Sequence, residues 1–267
     1  MRTRRAAVTP LDQALLSSRV RLVPWVFGVA TIACQIAYPL TSGDARTRLT
    51  VATVVVFLLA SVTHAALHRG ATAAASLVLV AAGGGLLVEA VGVSTGVPFG
   101  DYAYADTLGW QLVDVPVVIP LAWAMMAYPA LLVGRALAGR WVPLVGGWAL
   151  ASWDVFLDPQ MVEAGHWFWR DPTPGLPGVP GVPLTNFAGW LIVAVAMMAL
   201  LDRAVPSADA RRSTGDALPA ALYLWTYASS VLGAAVFFGR PSVALVGGLL
   251  MGAVAVPYAV KLWRRRQ

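Results

Sequence analysis

The chain has 267 residues, of which 58% are hydrophobic and only 12% charged, a balance that excludes an ordinary soluble domain and describes an integral membrane protein. Its net charge of +6 does not point to nucleic acid, because the bases collect between apolar runs and no basic groove interleaved with aromatics occurs. The single cysteine, Cys34, excludes an intramolecular disulfide and reads as packing in the first apolar run.

Residues 1–21 form a basic, polar segment with no small-residue cleavage site behind it, so the first apolar run is expected to stay as a span. Crossing a hydrocarbon core about 30 Å thick takes roughly 20 apolar residues as a helix. Eight such runs follow, at 22–40, 49–67, 72–93, 113–134, 141–157, 185–201, 218–238 and 242–262. The fifth is short and carries Asp154, which leaves a count of seven open. The expected fold is an all-α, polytopic helix bundle: one transmembrane domain over 22–263, with 264–267 as a basic tail.

His64 and His68, at the end of the second run, share a helix face at a spacing that can bind a metal. No further His or Cys lies near them, so they are expected to form a polar helix end and no metal site is assigned. Small residues four apart, Gly92 with Gly96, Gly147 with Ala151 and Gly248 with Gly252, predict close helix approach.

Ionisable groups inside spans are costly and usually face a bundle interior or a wet cavity, which singles out Glu89, Asp114 and Asp154. Asp154 and Asp158 in "WDVFLDP" lie on one helix face, and Pro159 is expected to stop that helix at the membrane edge. The same spacing raises a diphosphate–Mg²⁺ site of the membrane prenyltransferase kind. Such a site wants a second acidic motif and several bases, and Arg170 is the nearest base here.

Two connections, 94–112 and 158–184, are long and aromatic. "HWFWRDPTPGLPGVPGVPLTNF" spaces Pro and Gly too densely for a helix and reads as a loop or lid. Its Trp167 and Trp169 suit either headgroup anchoring or a site, and His166 can orient water or a carboxylate. No phosphate loop, dinucleotide fingerprint, haem motif or nucleophile elbow is present. Chemistry then falls to carboxylates, aromatic faces, amides and water.

"GVPFGDYAYADTLGWQLVDVPVVIPLAW", "WDVFLDPQMVEAGHWFW" and "GVPLTNFAGW" together resemble a carotenoid biosynthesis membrane-protein family that includes bacterial carotenoid 1′,2′-hydratases and an archaeal bisanhydrobacterioruberin hydratase. The resemblance runs from about Glu89 to Trp190. It implies a cofactor-independent hydro-lyase that adds water to the terminal 1,2-type double bond of an acyclic ψ-end group, giving a tertiary alcohol. Its partners would be an acyclic or monocyclic carotenoid, water, the lipid bilayer and other carotenoid-biosynthesis enzymes, in the cell membrane. The residues that coincide with the family's motifs are Glu89, Phe99, Gly100, Tyr102, Tyr104, Asp154, Asp158, Pro159, Gly165, Trp167, Trp169, Asn186 and Trp190.

Protonating an alkene needs a carboxylic acid kept neutral by burial. Asp154 is the first choice and Glu89 the second, with Asp158 and His166 as counter-charge or water-orienting groups. Phe99, Tyr102, Tyr104, Trp167, Trp169 and Trp190 would line the substrate and stabilise a cation, Asp114 would contact it, and Asn186 would hold the water. Two other classes compete. A non-catalytic polyene binder needs no acids at membrane depth, and a transporter would want inverted repeats, which are absent.

With both termini in the cytoplasm, 15 of 19 basic residues lie inside, among them Arg2, Arg4, Arg5, Arg19, Arg21, Arg211, Arg212 and Arg266, while Arg46, Arg48, Arg170 and Arg240 lie outside. With Cys34 removed, engineered cysteines at Thr107 and Thr173 should therefore react with an impermeant reagent added to intact cells. Labelling of both only after lysis inverts the topology.

Overall fold

The computed structural model describes residues 10–207, 215–265 and 267, with side chains from 22 onward. Arg2, Arg4, Arg5, Arg211, Arg212, Arg266 and the side chains of Arg19 and Arg21 lie outside the described residues. A chain in lipid must satisfy its backbone internally, and long helices do so. They are α1 (Pro10–Ala37), α2 (Gly43–Arg69), α3 (Ala71–Leu77), α4 (Gly84–Thr95), α5 (Val118–Leu137), α6 (Val142–Glu163), α7 (Leu184–Ala204), α8 (Ala217–Leu232) and α9 (Pro241–Arg264). A π-helical turn, Val78–Gly83, joins α3 to α4 in one continuous rod, and a second, Gly233–Phe237, extends α8.

Seven rods are long and apolar enough to cross a membrane, counting α3 to α4 as one. The eighth is α6, whose 22 residues make a helix about 33 Å long; Asp154 and Asp158 lower its hydropathy. It lies between α5, α7 and α9 and need not face lipid. A Cβ on Gly147 would sit 2.8 Å from Val195 Cα, which shows how closely α6 and α7 approach, as the Gly147–Ala151 spacing predicts.

Two boundaries differ from the expectation. The fourth run begins as a helix only at Val118, because Val113 and Asp114, with φ of 48° and 61°, form the tip of a hairpin. Its strands are β2 (Gln111–Leu112) and β3 (Val115–Pro116). Such a two-residue turn matches strand twist. Pro159 also fails to stop α6, which continues to Glu163. A proline removes one N–H near the helix end, and the last turn still closes, with Ala164 N–H donating to the Gln160 carbonyl at 3.1 Å.

The two long connections fold onto each other. β1 (Tyr102–Tyr104) pairs antiparallel with β4 (Trp167–Trp169), setting Tyr102 opposite Trp169 and Tyr104 opposite Trp167. Strand alternation turns these four rings to the bundle and leaves Phe168 52% exposed on the other face. The result is a lid. Trp167 and Trp169 are buried, so neither is a headgroup anchor.

At the opposite end, Arg69 pairs with Asp216 at 2.8 Å, Arg135 pairs with Asp202 at 2.8 Å, and Lys261 donates to the Ala136 carbonyl. His64 and His68 stack there with centroids 4.1 Å apart, and His64 Nδ1 lies 2.9 Å from the Tyr128 hydroxyl. These residues form the polar helix end read from their spacing.

The lid seats on α4 only because position 92 lacks a side chain: a Cβ there would lie 2.7 Å from the Tyr102 hydroxyl and 2.8 Å from the Phe99 ring. Gly92→Val should force the lid outward and cost about 1–3 kcal/mol. Thermal melts in detergent check this, and an unchanged melting temperature refutes the close seat.

Candidate functional site

Beneath the lid is a cavity of about 30 Å³, room for about one water. Two carboxyl side chains line it, Glu89 from α4 and Asp158 from α6, along with Asn186 from the first turn of α7. Seven aromatic side chains complete the wall: Phe99, Tyr102, Tyr104, Trp123, Trp167, Trp169 and Trp190. Among the described residues no Lys, Arg or His lines it. The nearest base expected from the sequence, Arg170, is spent on the lid surface in an exposed pair with Asp101 at 2.7 Å.

Glu89 is fully engaged. Its Oε2 accepts from the Tyr102 hydroxyl at 2.6 Å and the Tyr104 hydroxyl at 2.8 Å, and its Oε1 accepts from Trp123 Nε1 at 2.9 Å. Burial, and after it the Glu89 charge, push both tyrosine phenols well above their ordinary value, so each keeps its proton and stays a donor. Trp123 stacks on Trp190 with centroids 3.8 Å apart and planes 10° from parallel. Tyr104 meets Trp167 edge-on at 5.6 Å.

The second cluster is Asp154, Asp158 and Asn186. Asn186 Nδ2 donates to Asp154 Oδ2 at 2.9 Å and also to Asp158 Oδ2, while Trp167 Nε1 donates to Asp158 Oδ1 at 3.1 Å. Both hydrogens of the amide are thus committed to carboxyls. Only the Asn186 carbonyl is left to accept from a water, where the sequence suggested a general water-holding amide. Asp154 Oδ1 is buried with no partner. An orphaned carboxyl oxygen in a sealed interior needs a reason, and a proton on it would be one.

The sequence-derived residues divide clearly. Glu89, Asp158, Phe99, Tyr102, Tyr104, Trp167, Trp169, Asn186 and Trp190 converge on the cavity. Asp154 does not line it; it lies one helical turn earlier on α6, behind Asp158. Asp114 is displaced altogether, exposed at the hairpin tip, since the segment expected to be membrane helix is a turn. His166 is buried but outside the lining: its Nδ1 lies 2.8 Å from Thr107 Oγ1, its N–H donates to the Met161 carbonyl, and its carbonyl accepts from Ala105. It fastens the lid to the end of α6. Trp123 was missed as a site residue, although it closes the first motif, "PLAW". The Asp154–Asp158 pair receives amide and indole N–H donors, a hydrogen-bonding arrangement unlike a Mg²⁺ site, and among the described residues no three His, Cys, Asp or Glu converge as metal ligands.

Burial holds His166 below the usual 6.5. The folded state therefore prefers neutral imidazole, and that contribution is complete above about pH 6.5 and is lost as pH falls toward the folded value. His166→Gln should flatten the acid limb of melting temperature against pH below about 6.5 relative to the unsubstituted protein. Parallel curves for the two proteins refute a neutral, lid-fastening imidazole.

The family model described as "Carotenoid biosynthesis protein" matches residues 48–255, which take in every lining residue of the cavity. A bisanhydrobacterioruberin hydratase from Haloarcula japonica is 32% identical over 136 residues, covering 48% of this chain and 45% of that protein. The matched region is thus less than half of the relative's own length. No solved structure matches the chain.

Proposed function

This chain belongs to the carotenoid biosynthesis protein family, and from that premise we propose that it is a hydratase adding water across the terminal 1,2-type double bond of an acyclic ψ-end group. The observation that carries this reading is the charge character of the cavity: seven aromatic faces and two carboxyls, with no base. Such a wall suits a passing carbocation. The hydratase named among the relatives supports the same reaction class.

Asp158 is the proton donor in this scheme, because of the two aspartates only it faces the cavity. Asp154, one turn away on α6 and hydrogen-bonded to it carboxyl to carboxyl, supplies the proton that recharges it. The proton goes to the less substituted alkene carbon, the π pair forms the new C–H bond, and the neighbouring carbon becomes a tertiary cation. Ring faces stabilise this cation by about 2 kcal/mol or more per desolvated contact, and the Glu89 carboxyl adds an electrostatic contribution. Water adds to the cation, and its surplus proton returns through Asp158 to Asp154, so the pair ends as it began and no net proton is consumed. Hydration changes no net oxidation state and calls for no redox cofactor. A cavity the size of one water must open for the chain end to enter, and the lid is the part built on loops. The positive-inside asymmetry supports a lid on the outer side of a cell-membrane protein with one transmembrane domain over 22–263. A plain polyene binder would have no use for buried carboxyls held by so many donors.

Expression in lycopene-producing cells, with mass analysis of the pigments, tests the activity directly. Asp158→Asn should lower hydration about 10²–10⁴-fold, the usual share of a general acid, with carotenoid still bound; Asp154→Asn should be similarly severe. In ¹⁸O-labelled heavy water without O₂, the alcohol should gain the heavy oxygen and one deuterium on the adjacent carbon. Oxygen drawn from O₂, or full activity in both aspartate variants, removes the mechanism.

A further inference from the structure

A second cavity, of about 360 Å³, lies on the other face of α6. The end of α1, the start of α2 and the end of α8 enclose it, and Trp153, Phe156 and Gln160 form its α6 wall. Leu157 lines both cavities, and Trp153 meets Trp190 edge-on at 6.5 Å, so one layer of side chains separates the groove from the carboxyl site. The π-helical turn after α8 contributes Gly233 and Phe237 to the wall; such turns recur where helices are reshaped around ligands.

The groove is mainly apolar, and among the described residues no charged side chain lines it. Its polar atoms are nonetheless unusual. Of the eight buried side-chain N or O atoms without a hydrogen-bond partner among the described residues, five belong to residues of this wall: Gln35 Oε1, the Tyr38 hydroxyl, Thr53 Oγ1, Trp225 Nε1 and Thr226 Oγ1. Leaving a buried polar group unpaired forfeits its hydration with no return, so five around one space point to a missing partner. A pure hydrocarbon would leave all five unpaired. Arg46 packs over the Tyr38 and Phe238 rings of the wall, 5.6 and 5.7 Å from their centroids, but it is outside the lining and donates to the Thr41 carbonyl, so its charge is already engaged. A neutral hydroxyl donates and accepts at once, matching an indole N–H on one side and an amide oxygen or threonine hydroxyl on the other.

We propose that this groove binds a neutral isoprenoid alcohol, with the hydrocarbon chain along the α6 aromatics and the hydroxyl among Thr53, Trp225 and Thr226. The assignment rests on the hydratase reading at one point, that the protein's own product is such an alcohol. A tertiary alcohol kept beside a carboxylic acid is open to protonation and loss of water, the reverse of its formation. Movement past Leu157 into a groove without acids protects it.

The test uses full-length protein in detergent carrying Asp158→Asn, so that conversion is negligible while binding is measured. It is incubated with equal amounts of an acyclic carotene, the corresponding tertiary alcohol and a straight-chain fatty alcohol, repurified, and its bound lipids are quantified. The tertiary alcohol should be retained about 5-fold over either competitor, the scale of one good hydrogen bond. Trp225→Phe with Thr226→Val removes both polar groups while keeping an aromatic ring and a branched side chain in place, and should bring retention to parity; Thr53→Val, on the opposite wall, gives the same readout if that pair fails to fold. Equal retention of carotene and its alcohol, or a preference that survives these substitutions, overturns the proposal. Fatty alcohol retained as well as the tertiary alcohol overturns the isoprenoid assignment. Because binding is read without turnover, a failed hydration assay leaves this result standing, and a failed binding assay leaves hydration standing.

Discussion

A carboxyl group sunk in a membrane bundle must find hydrogen-bond donors inside the protein, and Glu89 takes its donors from separate elements. Two tyrosine hydroxyls come from β1 and an indole N–H from α5. In this way one acid on α4 ties the lid to the helices beneath it. The pairing of β1 with β4 then extends the tie to Trp167, whose N–H reaches Asp158 on α6. Lid, α4, α5 and α6 are coupled through two acids, and the cavity between them exists because those acids are held apart by rings.

That coupling explains why a wall so apolar retains charge-bearing groups. Aromatic faces alone would suit any polyene, and carboxyls alone would suit a metal or a base. Combined, in a space the size of a water molecule and with no basic side chain lining it, they suit positive charge that forms and disappears during a reaction. Asn186 distributes the arrangement by giving one hydrogen to each aspartate.

α6 is the member on which both cavities depend. Its Asp158 faces one space, its Trp153 and Phe156 face the other, and Leu157 touches both. A helix with polar and apolar demands on opposite faces cannot be exposed to lipid on either. Its position between α5, α7 and α9 follows from that, as does its weaker hydropathy than the other rods.

Membership of a membrane bundle was legible in composition and apolar run length, since the bilayer imposes both without reference to any particular packing. The suspicion that fell on Glu89, Asp114 and Asp154 had the same source, the cost of an ionisable group at depth, and it failed for Asp114, which lies exposed at a hairpin tip. The alternation of Tyr102 with Tyr104 and of Trp167 with Trp169 is equally local and could be read directly. What remained hidden was non-local. Nothing near Tyr102 states that Trp169 lies opposite it, nothing near Trp123 states that its N–H meets an acid 34 positions earlier, and Val113–Asp114 lacks the glycine that usually marks a hairpin turn. Which aspartate faces the cavity depends on how α6 is rotated against α5 and α7, and small residues such as Gly147 set that rotation only through the neighbour they admit. Solvent decides which residues must leave water or lipid, and a single chain records that preference residue by residue; the choice of partner is made by packing among segments far apart in sequence, and it is fixed only when all of them are in place.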